Sequence, residues 1–174
     1  MELGVGEIGQ IGGKGASLML GYFEDEAATA GSLNFDGWFM TGDTGSLDED
    51  GYLHIKGRIK DVIIRGGHNI YPARIEQLAA RHPDVDKVAA IPFPDERLGE
   101  KVCLVVKPAD GARPDPEQIL RHLNAEGLSK YDMPEYLVEV DDMPMTSGGK
   151  VLKRALLDLV DSGRLKPEPV RWQA

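Results

Sequence analysis

Cysteine is almost absent from this 174-residue sequence, with one copy, Cys103, inside the apolar run Val102–Val106. A single cysteine cannot form an internal disulfide, and its apolar neighbours predict that it packs as a small hydrophobic side chain instead of acting as a nucleophile. The four histidines are scattered without the spacing of metal ligands. No disulfide framework, catalytic thiol or metal site is therefore predicted.

Positive charge and long apolar runs are also scarce. The chain has 20 Lys and Arg against 29 Asp and Glu, a formal net charge of −9, which argues against a nucleic-acid partner. No apolar run reaches the length of a membrane span, and the opening MELGVGEIGQ has no basic region followed by an apolar core. These absences predict a cytoplasmic protein with no membrane span.

Glycine is abundant but unevenly distributed. Fifteen of the 21 glycines lie at or before Gly67 and six after it, which indicates two differently built regions. We place the boundary near residue 58, with strands and loops in residues 1–58 and a second domain in residues 59–174. In the first region, apolar alternation in Tyr52–Lys56 and the turn residues Glu49-Asp50-Gly51 predict a β-hairpin with Gly45–Asp48.

The second region alternates helical and strand patterns. One helix is predicted from Pro72, a second from Asp115-Pro116 to Gly127, and a third from Leu152 toward Gly163. Residues 85–91, 101–107 and 136–140 are predicted strands, and the first two are so continuously apolar that we expect neighbours in one sheet covered on both faces. The fold class is therefore α+β, with a central, mostly antiparallel sheet flanked by about three helices.

Three short motifs carry residues with possible chemistry: WFMTGD at 38–43, GRIKD at 57–61 running into IIRGGHNIYP at 63–72, and PMTSGGK at 144–150. Each has an ordinary local interpretation. An aspartate in a turn commonly accepts hydrogen bonds from the backbone of that turn. An Arg-x-Lys-Asp cluster is commonly a charged surface exposed to solvent. A Gly-Gly-Lys loop before a helix is commonly a flexible turn. The last motif is not a Walker loop, because Pro144 and Val151 replace its first glycine and its Ser or Thr.

Together and in this order, the motifs resemble those of the adenylate-forming superfamily of acyl-CoA synthetases, nonribosomal adenylation domains and luciferases. The resemblance covers most of the chain, from Gly6-Glu7-Ile8 and Gly21-Tyr22 onward. It implies an AMP-forming ligase that uses ATP and Mg2+. A carboxylic or fatty acid would attack the α-phosphate of ATP to give an acyl adenylate and pyrophosphate. The thiol of coenzyme A would then take the acyl group and release AMP.

The resemblance also implies residue roles. Lys150 corresponds to the catalytic lysine of adenylation. Asp43 corresponds to the residue that binds the ribose hydroxyls of the nucleotide, and Arg58 to one that binds the ribose or phosphate. Lys60 corresponds to the hinge about which the small carboxy-terminal domain turns between the two steps.

The double glycine is expected to border the channel for the pantetheine arm of coenzyme A. These residues are Gly66 and Gly67, with His68 beside them. Family members often have glutamate at the positions of His68 and Arg74. The histidine makes the thiol side of the site depart from the usual pattern, whereas Arg74 is expected to affect the packing of its helix.

The sequence lacks the upstream Gly/Ser/Thr-rich phosphate loop and the Tyr-Gly-x-Thr-Glu stretch of full family members. It therefore resembles a carboxy-terminal fragment, in which residues 1–58 are a remnant of the large amino-terminal domain and the isolated chain is inactive. That missing domain would be its partner and would select the acid. Two alternatives remain: a non-catalytic module that binds a partner or a nucleotide, and an adenylation domain that serves a carrier protein.

Overall fold

The computed structural model describes residues 2–172, and the chain divides into two compact units with the boundary between Lys60 and Asp61. We refer to these as the amino-terminal unit and the carboxy-terminal unit. Among the described residues, no helix has both the length and the apolar character needed to cross a membrane.

The amino-terminal unit is built on a three-stranded antiparallel sheet in the order β1-β2-β3. The strands are β1 (Gly9–Gly13), β2 (Phe39–Leu47) and β3 (Leu53–Arg58). The predicted hairpin is confirmed as β2–β3. Its turn is held by Asp48, whose Oδ1 accepts the amides of Asp50 at 3.0 Å and Tyr52 at 2.8 Å and whose Oδ2 lies 2.7 Å from Nε2 of His54. The hydrogen bond to His54, followed by that from the Tyr52 amide, lowers the pKa of Asp48.

One helix in this unit was not predicted. Helix α1 (Glu26–Ser32) begins after Asp25, whose side chain accepts the amide of Ala28 at 2.8 Å. This N-cap and the helix-favouring alanines explain the helix. Since α1 buries none of its residues, it has no apolar stripe by which periodicity would reveal it.

The carboxy-terminal unit contains a six-stranded sheet in which β5-β4-β7-β8-β9 form a path and β6 also pairs with β7. Its strands are β4 (Ile63–Arg65), β5 (His68–Ile70), β6 (Val85–Asp95), β7 (Gly99–Pro108), β8 (Tyr136–Glu139) and β9 (Glu168–Pro169). The β7–β8 pair is parallel, and the other pairs are antiparallel. This confirms the predicted α+β class with a mostly antiparallel sheet.

Three helices accompany this sheet, as predicted: α2 (Pro72–Ala79), α3 (Pro116–Ala125) and α4 (Lys153–Asp161). Asp115 caps α3 by accepting the amide of Glu117 at 3.0 Å. The predicted start of the third helix is corrected by one residue, because Leu152 precedes α4 and is 43% exposed, while Leu156 is fully buried.

Strands β6 and β7 are covered on both faces, as their continuous apolarity predicts. Ala90 and Leu104 face a core that includes residues of α2 and α3, whereas Ile91 and Cys103 face a second core that includes Leu156 of α4. Cys103 is fully buried, and this burial raises the pKa of its thiol to about 12. The prediction that it packs as a small hydrophobic side chain is therefore confirmed.

Candidate functional site

Asp43 and Arg58 are brought together by the β2–β3 hairpin. They are Cα partners in the strand register, and Oδ1 of Asp43 lies 3.2 Å from Nε of Arg58. The amide of Asp43 donates to Oγ1 of Thr41 at 3.0 Å, and that hydroxyl donates to the carbonyl of Ile11 in β1 at 3.0 Å. The sheet thus fixes the backbone of Asp43, while both charged side chains stay exposed enough to meet a ligand.

Gly42 explains the glycine of the first motif. Its φ is +78°, and a Cβ there would lie 3.2 Å from Nη2 of Arg58. The left-handed backbone favours glycine at this position, and a Cβ would in addition crowd the guanidinium of Arg58. The sequence shows this glycine but not the nearby guanidinium of Arg58, because that approach depends on the pairing of β2 with β3.

Lys60 lies in a single 3-10 turn, Ile59–Asp61, and its side chain is exposed. This turn spans the boundary between the two compact units. Its role as a hinge remains a prediction.

Gly66 and Gly67 form the two-residue turn between β4 and β5. Their φ values of +58° and +87° are those of a type I′ hairpin turn, which favours glycine at both positions. The amide of Gly66 donates to the carbonyl of Leu98 at 2.7 Å, and a Cβ on Gly66 would lie 3.0 Å from Cδ2 of Leu98, whereas a Cβ on Gly67 would meet nothing within 4 Å. The Gly-Gly pair between apolar runs could have predicted this hairpin, which sequence reasoning missed. Its role beside a channel remains a prediction.

His68 connects this hairpin to a distant loop. Its Nε2 lies 2.8 Å from Oδ1 of Asp132, and its ring lies edge-on to Tyr131 with centroids 6.4 Å apart. Asp132 was not singled out from the sequence, and no local signal marks it, because its partner is 64 positions away.

Lys150 is exposed at the end of a closed turn. The amide of Thr146 donates to the carbonyl of Lys150 at 2.7 Å, and the amide of Lys150 donates to Oγ1 of Thr146 at 3.1 Å. Met145 and Val151 pair as an isolated β-bridge at its base. The sequence predicts a flexible loop that opens directly into a helix. The structure instead has a turn closed by the two hydrogen bonds between Thr146 and Lys150, and α4 begins three residues after Lys150.

Apart from Lys60, the predicted site residues form three groups. Asp43 and Arg58 share one hairpin of the amino-terminal unit, and the double glycine shares a second hairpin with His68 in the carboxy-terminal unit. Lys150 lies on a separate turn of that unit. Among the described residues, no hydrogen bond or ion pair joins the Lys150 turn to the double-glycine hairpin.

Residues 74–150 match the AMP-binding enzyme C-terminal domain family. The chain is 44% identical over 148 residues to a feruloyl-CoA synthase of Amycolatopsis, a match that covers 85% of this chain and 30% of that protein. It is similar in structure to ATP-bound MatB from Rhodopseudomonas palustris, with a TM-score of 0.79 and 40% identity over 90% of this chain and 31% of that one.

A third similarity is to the o-succinylbenzoate CoA synthetase MenE of Bacillus subtilis in complex with its acyl-adenylate intermediate. The TM-score is 0.82 at 31% identity, covering 88% of this chain and 31% of that one. In each comparison the chain spans less than a third of the other protein, and it spans only 25% to 30% of the first curated relatives.

Proposed function

We propose that this chain, whose residues 74–150 match the AMP-binding enzyme C-terminal domain family, serves as the carboxy-terminal part of an ATP-dependent, AMP-forming acyl-CoA ligase. In the first step, a carboxylate oxygen of the acid bonds to the α-phosphorus of ATP and pyrophosphate leaves. In the second, the sulfur of coenzyme A bonds to the acyl carbon and AMP leaves. The observation that carries the proposal is the family match, which extends up to Lys150.

Lys150 has the chemistry that the first step requires. A carboxylate and a phosphate are both anions, so their approach needs a cation where the negative charge collects. The ammonium group of Lys150 is a compact charge on a flexible stem, presented to solvent by the turn that Thr146 closes. We assign it to the attacking carboxylate and the α-phosphate.

Asp43 and Arg58 supply groups suited to the nucleotide. A carboxylate can accept hydrogen bonds from two vicinal hydroxyls at once, and a guanidinium offers several donors to phosphate or ribose oxygens. The ion pair between Oδ1 of Asp43 and Nε of Arg58 keeps each side chain oriented by the other. We assign Asp43 to the ribose hydroxyls and Arg58 to the ribose or phosphate.

We assign the Mg2+ that the resemblance implies to the complete enzyme. No group of three or more His, Cys, Asp or Glu side chains in residues 2–172 is placed to hold a metal ion, and Mg2+ at nucleotide sites is usually held by one or two carboxylates together with the phosphates of the nucleotide. None of the proposed roles of residues in this chain depends on it.

In the second step, Lys150 has to move away from the reaction centre so that the thiol of coenzyme A can reach the acyl carbon. We assign the dihedral change to Lys60 in its short 3-10 turn, and the approach of the pantetheine arm to the hairpin turn Gly66–Gly67 with His68 beside it. Glycines suit such a path because they bring the backbone close to a ligand without a side chain.

The full reaction depends on an amino-terminal domain. The sequence has no Gly/Ser/Thr-rich phosphate loop, and the chain matches less than a third of its relatives' length. We therefore propose that the isolated chain does not form acyl adenylate, and that an amino-terminal domain supplies the phosphate site and selects the acid. The relatives and structures named above include CoA synthases and synthetases, which supports coenzyme A as the acceptor over a carrier protein.

The test uses a complete enzyme that contains this sequence. Lys150→Ala should lower pyrophosphate release by at least about a hundredfold, the scale seen on removing one preorganised electrostatic donor. Transfer from supplied acyl adenylate to coenzyme A should persist. Lys166→Ala, which removes another exposed lysine of the same unit, should change neither step. Unchanged pyrophosphate release in Lys150→Ala would refute the assignment.

A further inference from the structure

Glu76 on α2 joins two elements through one oxygen atom. Its Oε1 accepts the amide of Ala90 in β6 at 2.9 Å and lies 2.7 Å from Nζ of Lys153, the first residue of α4. The side chains of Glu76 and Lys153 are 24% and 21% exposed, so this pair is more enclosed than the exposed ion pair of Arg121 and Glu117 on α3, at 68% and 71%.

The Ala90 contact fixes the carboxylate. Ala90 is fully buried, so its amide would be costly to leave without an acceptor. Strand β6 pairs with β7, and Glu76 takes the place of a further strand at the amide of Ala90. Helix α2 is itself anchored, because Ile75 and Leu78 are fully buried. Glu76 is therefore a rigid negative group between α2 and β6.

The start of α4 lacks the usual stabilising groups. Its N-cap, Leu152, makes no side-chain capping bond, and its first turn contains no acidic residue. Lys153 and Arg154 instead place two cations at the end of the helix where the macrodipole favours anions. A fixed carboxylate next to Lys153 offsets this and ties the first turn of α4 to α2.

The position of the first turn of α4 constrains the turn that carries Lys150. Lys153 is three residues further along, and the residues between them are tied back to the turn: Val151 pairs with Met145, and the amide of Leu152 donates to the carbonyl of Pro144 at 2.7 Å. Holding Lys153 therefore holds one end of the Lys150 turn.

We propose that Glu76 is a positioning residue for Lys150. It holds the first turn of α4, and with it the turn that carries the lysine, against α2 and β6. This inference rests on the proposed function, since it assigns Glu76 to the adenylation step. Glu76 acts through Lys153 and the turn, not by contact with substrate.

The test is a double-mutant cycle of Glu76→Gln and Lys153→Gln in the complete enzyme. Glutamine at position 76 retains an oxygen that can accept the Ala90 amide, and it removes the negative charge that attracts the ammonium group of Lys153. Each single variant should lower the kcat of pyrophosphate release by about tenfold, since small displacements of a catalytic group cost rates of this order or more. The double variant should be no worse than either single variant, and acyl transfer from supplied adenylate should stay within about twofold of wild type on the same reasoning.

The matched control is Glu117→Gln, which breaks the exposed pair on α3 and should leave both steps unchanged. Equal losses in both steps, or additive losses in the cycle, would show that Glu76 only stabilises the fold. If Glu76→Gln fails to fold, Lys153→Gln decides alone, because it leaves the Glu76–Ala90 contact intact. Full adenylation in these variants while Lys150→Ala is inactive overturns this inference alone, whereas an active Lys150→Ala overturns the proposed function.

Discussion

Asp43 and Arg58 face each other across β2 and β3, with Oδ1 3.2 Å from Nε at positions that are Cα partners. Their side chains are 39% and 52% exposed, and ion pairs this open stabilise a fold by only about 0 to 1 kcal/mol. The pair is therefore a weak contributor to folding. Its loss should be measurable chiefly through binding of the nucleotide that we propose it contacts.

The first prediction follows from this exposure. Asp43→Asn in the complete enzyme should raise the KM for ATP by about tenfold, because it removes the anionic acceptor and the attraction to Arg58, a loss of about 1.4 kcal/mol in binding. The melting temperature should not change. Asp50→Asn, in the exposed turn at the other end of the same hairpin, is the matched control. An equal rise in KM for both variants would contradict the assignment of Asp43.

The second prediction separates the size of a side chain at Gly67 from backbone strain. Gly67→Leu puts a bulky group at φ +87°, where a Cβ meets open space in this structure. Gly111 has φ +76° and equally open surroundings, so Gly111→Leu carries similar strain of about 1 to 3 kcal/mol. We expect both to lower the melting temperature. Only Gly67→Leu should slow thioester formation, while pyrophosphate release persists in both variants. Equal rates of acyl transfer in the two variants would contradict the assignment of the double glycine to the pantetheine channel.

Features set by local sequence could be predicted. The strands around Ile91 and Leu104 were found because each is apolar on both faces, and the helix after Asp115 because its cap and its apolar spacing lie within one segment. The motif residues of the candidate site were found in the same way, through their order along the chain.

Contacts between distant segments could not be predicted. The pairing of His68 with Asp132 and of Glu76 with Lys153 joins residues 64 and 77 positions apart, and it depends on which loops and helices the sheet brings together. Nothing near Glu76 in the sequence marks it as different from any other helical glutamate. The closure of the Lys150 turn by Thr146 is local, but it was missed because the glycines were interpreted as flexibility.

The third prediction concerns local stability in the isolated chain. Val102–Val106 is fully buried in a strand paired along both edges, whereas α1 buries no residue. Amides of Val102–Val106 should therefore exchange with solvent much more slowly than those of residues 8–39. Hydrogen exchange followed by mass spectrometry measures this. Stronger protection across residues 8–39 would show that the amino-terminal unit is the more stable part.

The fourth prediction concerns acid. The hydrogen bond from Lys101, followed by that from the Leu98 amide, lowers the pKa of Asp95 to about 2. In the unfolded chain this carboxyl titrates near its ordinary value of about 3.9, so its stabilising contribution is complete above that pH and is lost as the pH falls from about 4 toward 2. Asp95→Asn should have a lower free energy of unfolding than wild type at pH 7. As the pH falls from about 4 toward 2, its free energy of unfolding should decrease less than that of wild type. Urea unfolding from pH 2 to 7 tests this against Asp141→Asn, an exposed control, and parallel curves for Asp95→Asn and wild type would contradict it.

The last prediction concerns Lys60, in the 3-10 turn Ile59–Asp61 at the boundary between the two units. If its backbone dihedrals change between adenylation and thioester formation, Lys60→Pro should hold φ near −65° and permit only one of the two poses. In the complete enzyme, one half-reaction should then persist while the other falls by at least about tenfold, a barrier increase of about 1.4 kcal/mol.

The control for Lys60 is Lys60→Ala, which removes the same charge but leaves the backbone free to rotate. Pyrophosphate release and acyl transfer, measured separately on both variants, distinguish a backbone role from a side-chain role. A loss in one step for the proline variant alone supports the hinge. Equal rates in both steps for Lys60→Pro and wild type would place the hinge elsewhere, and equal losses for the alanine and proline variants would assign the effect to the lysine side chain.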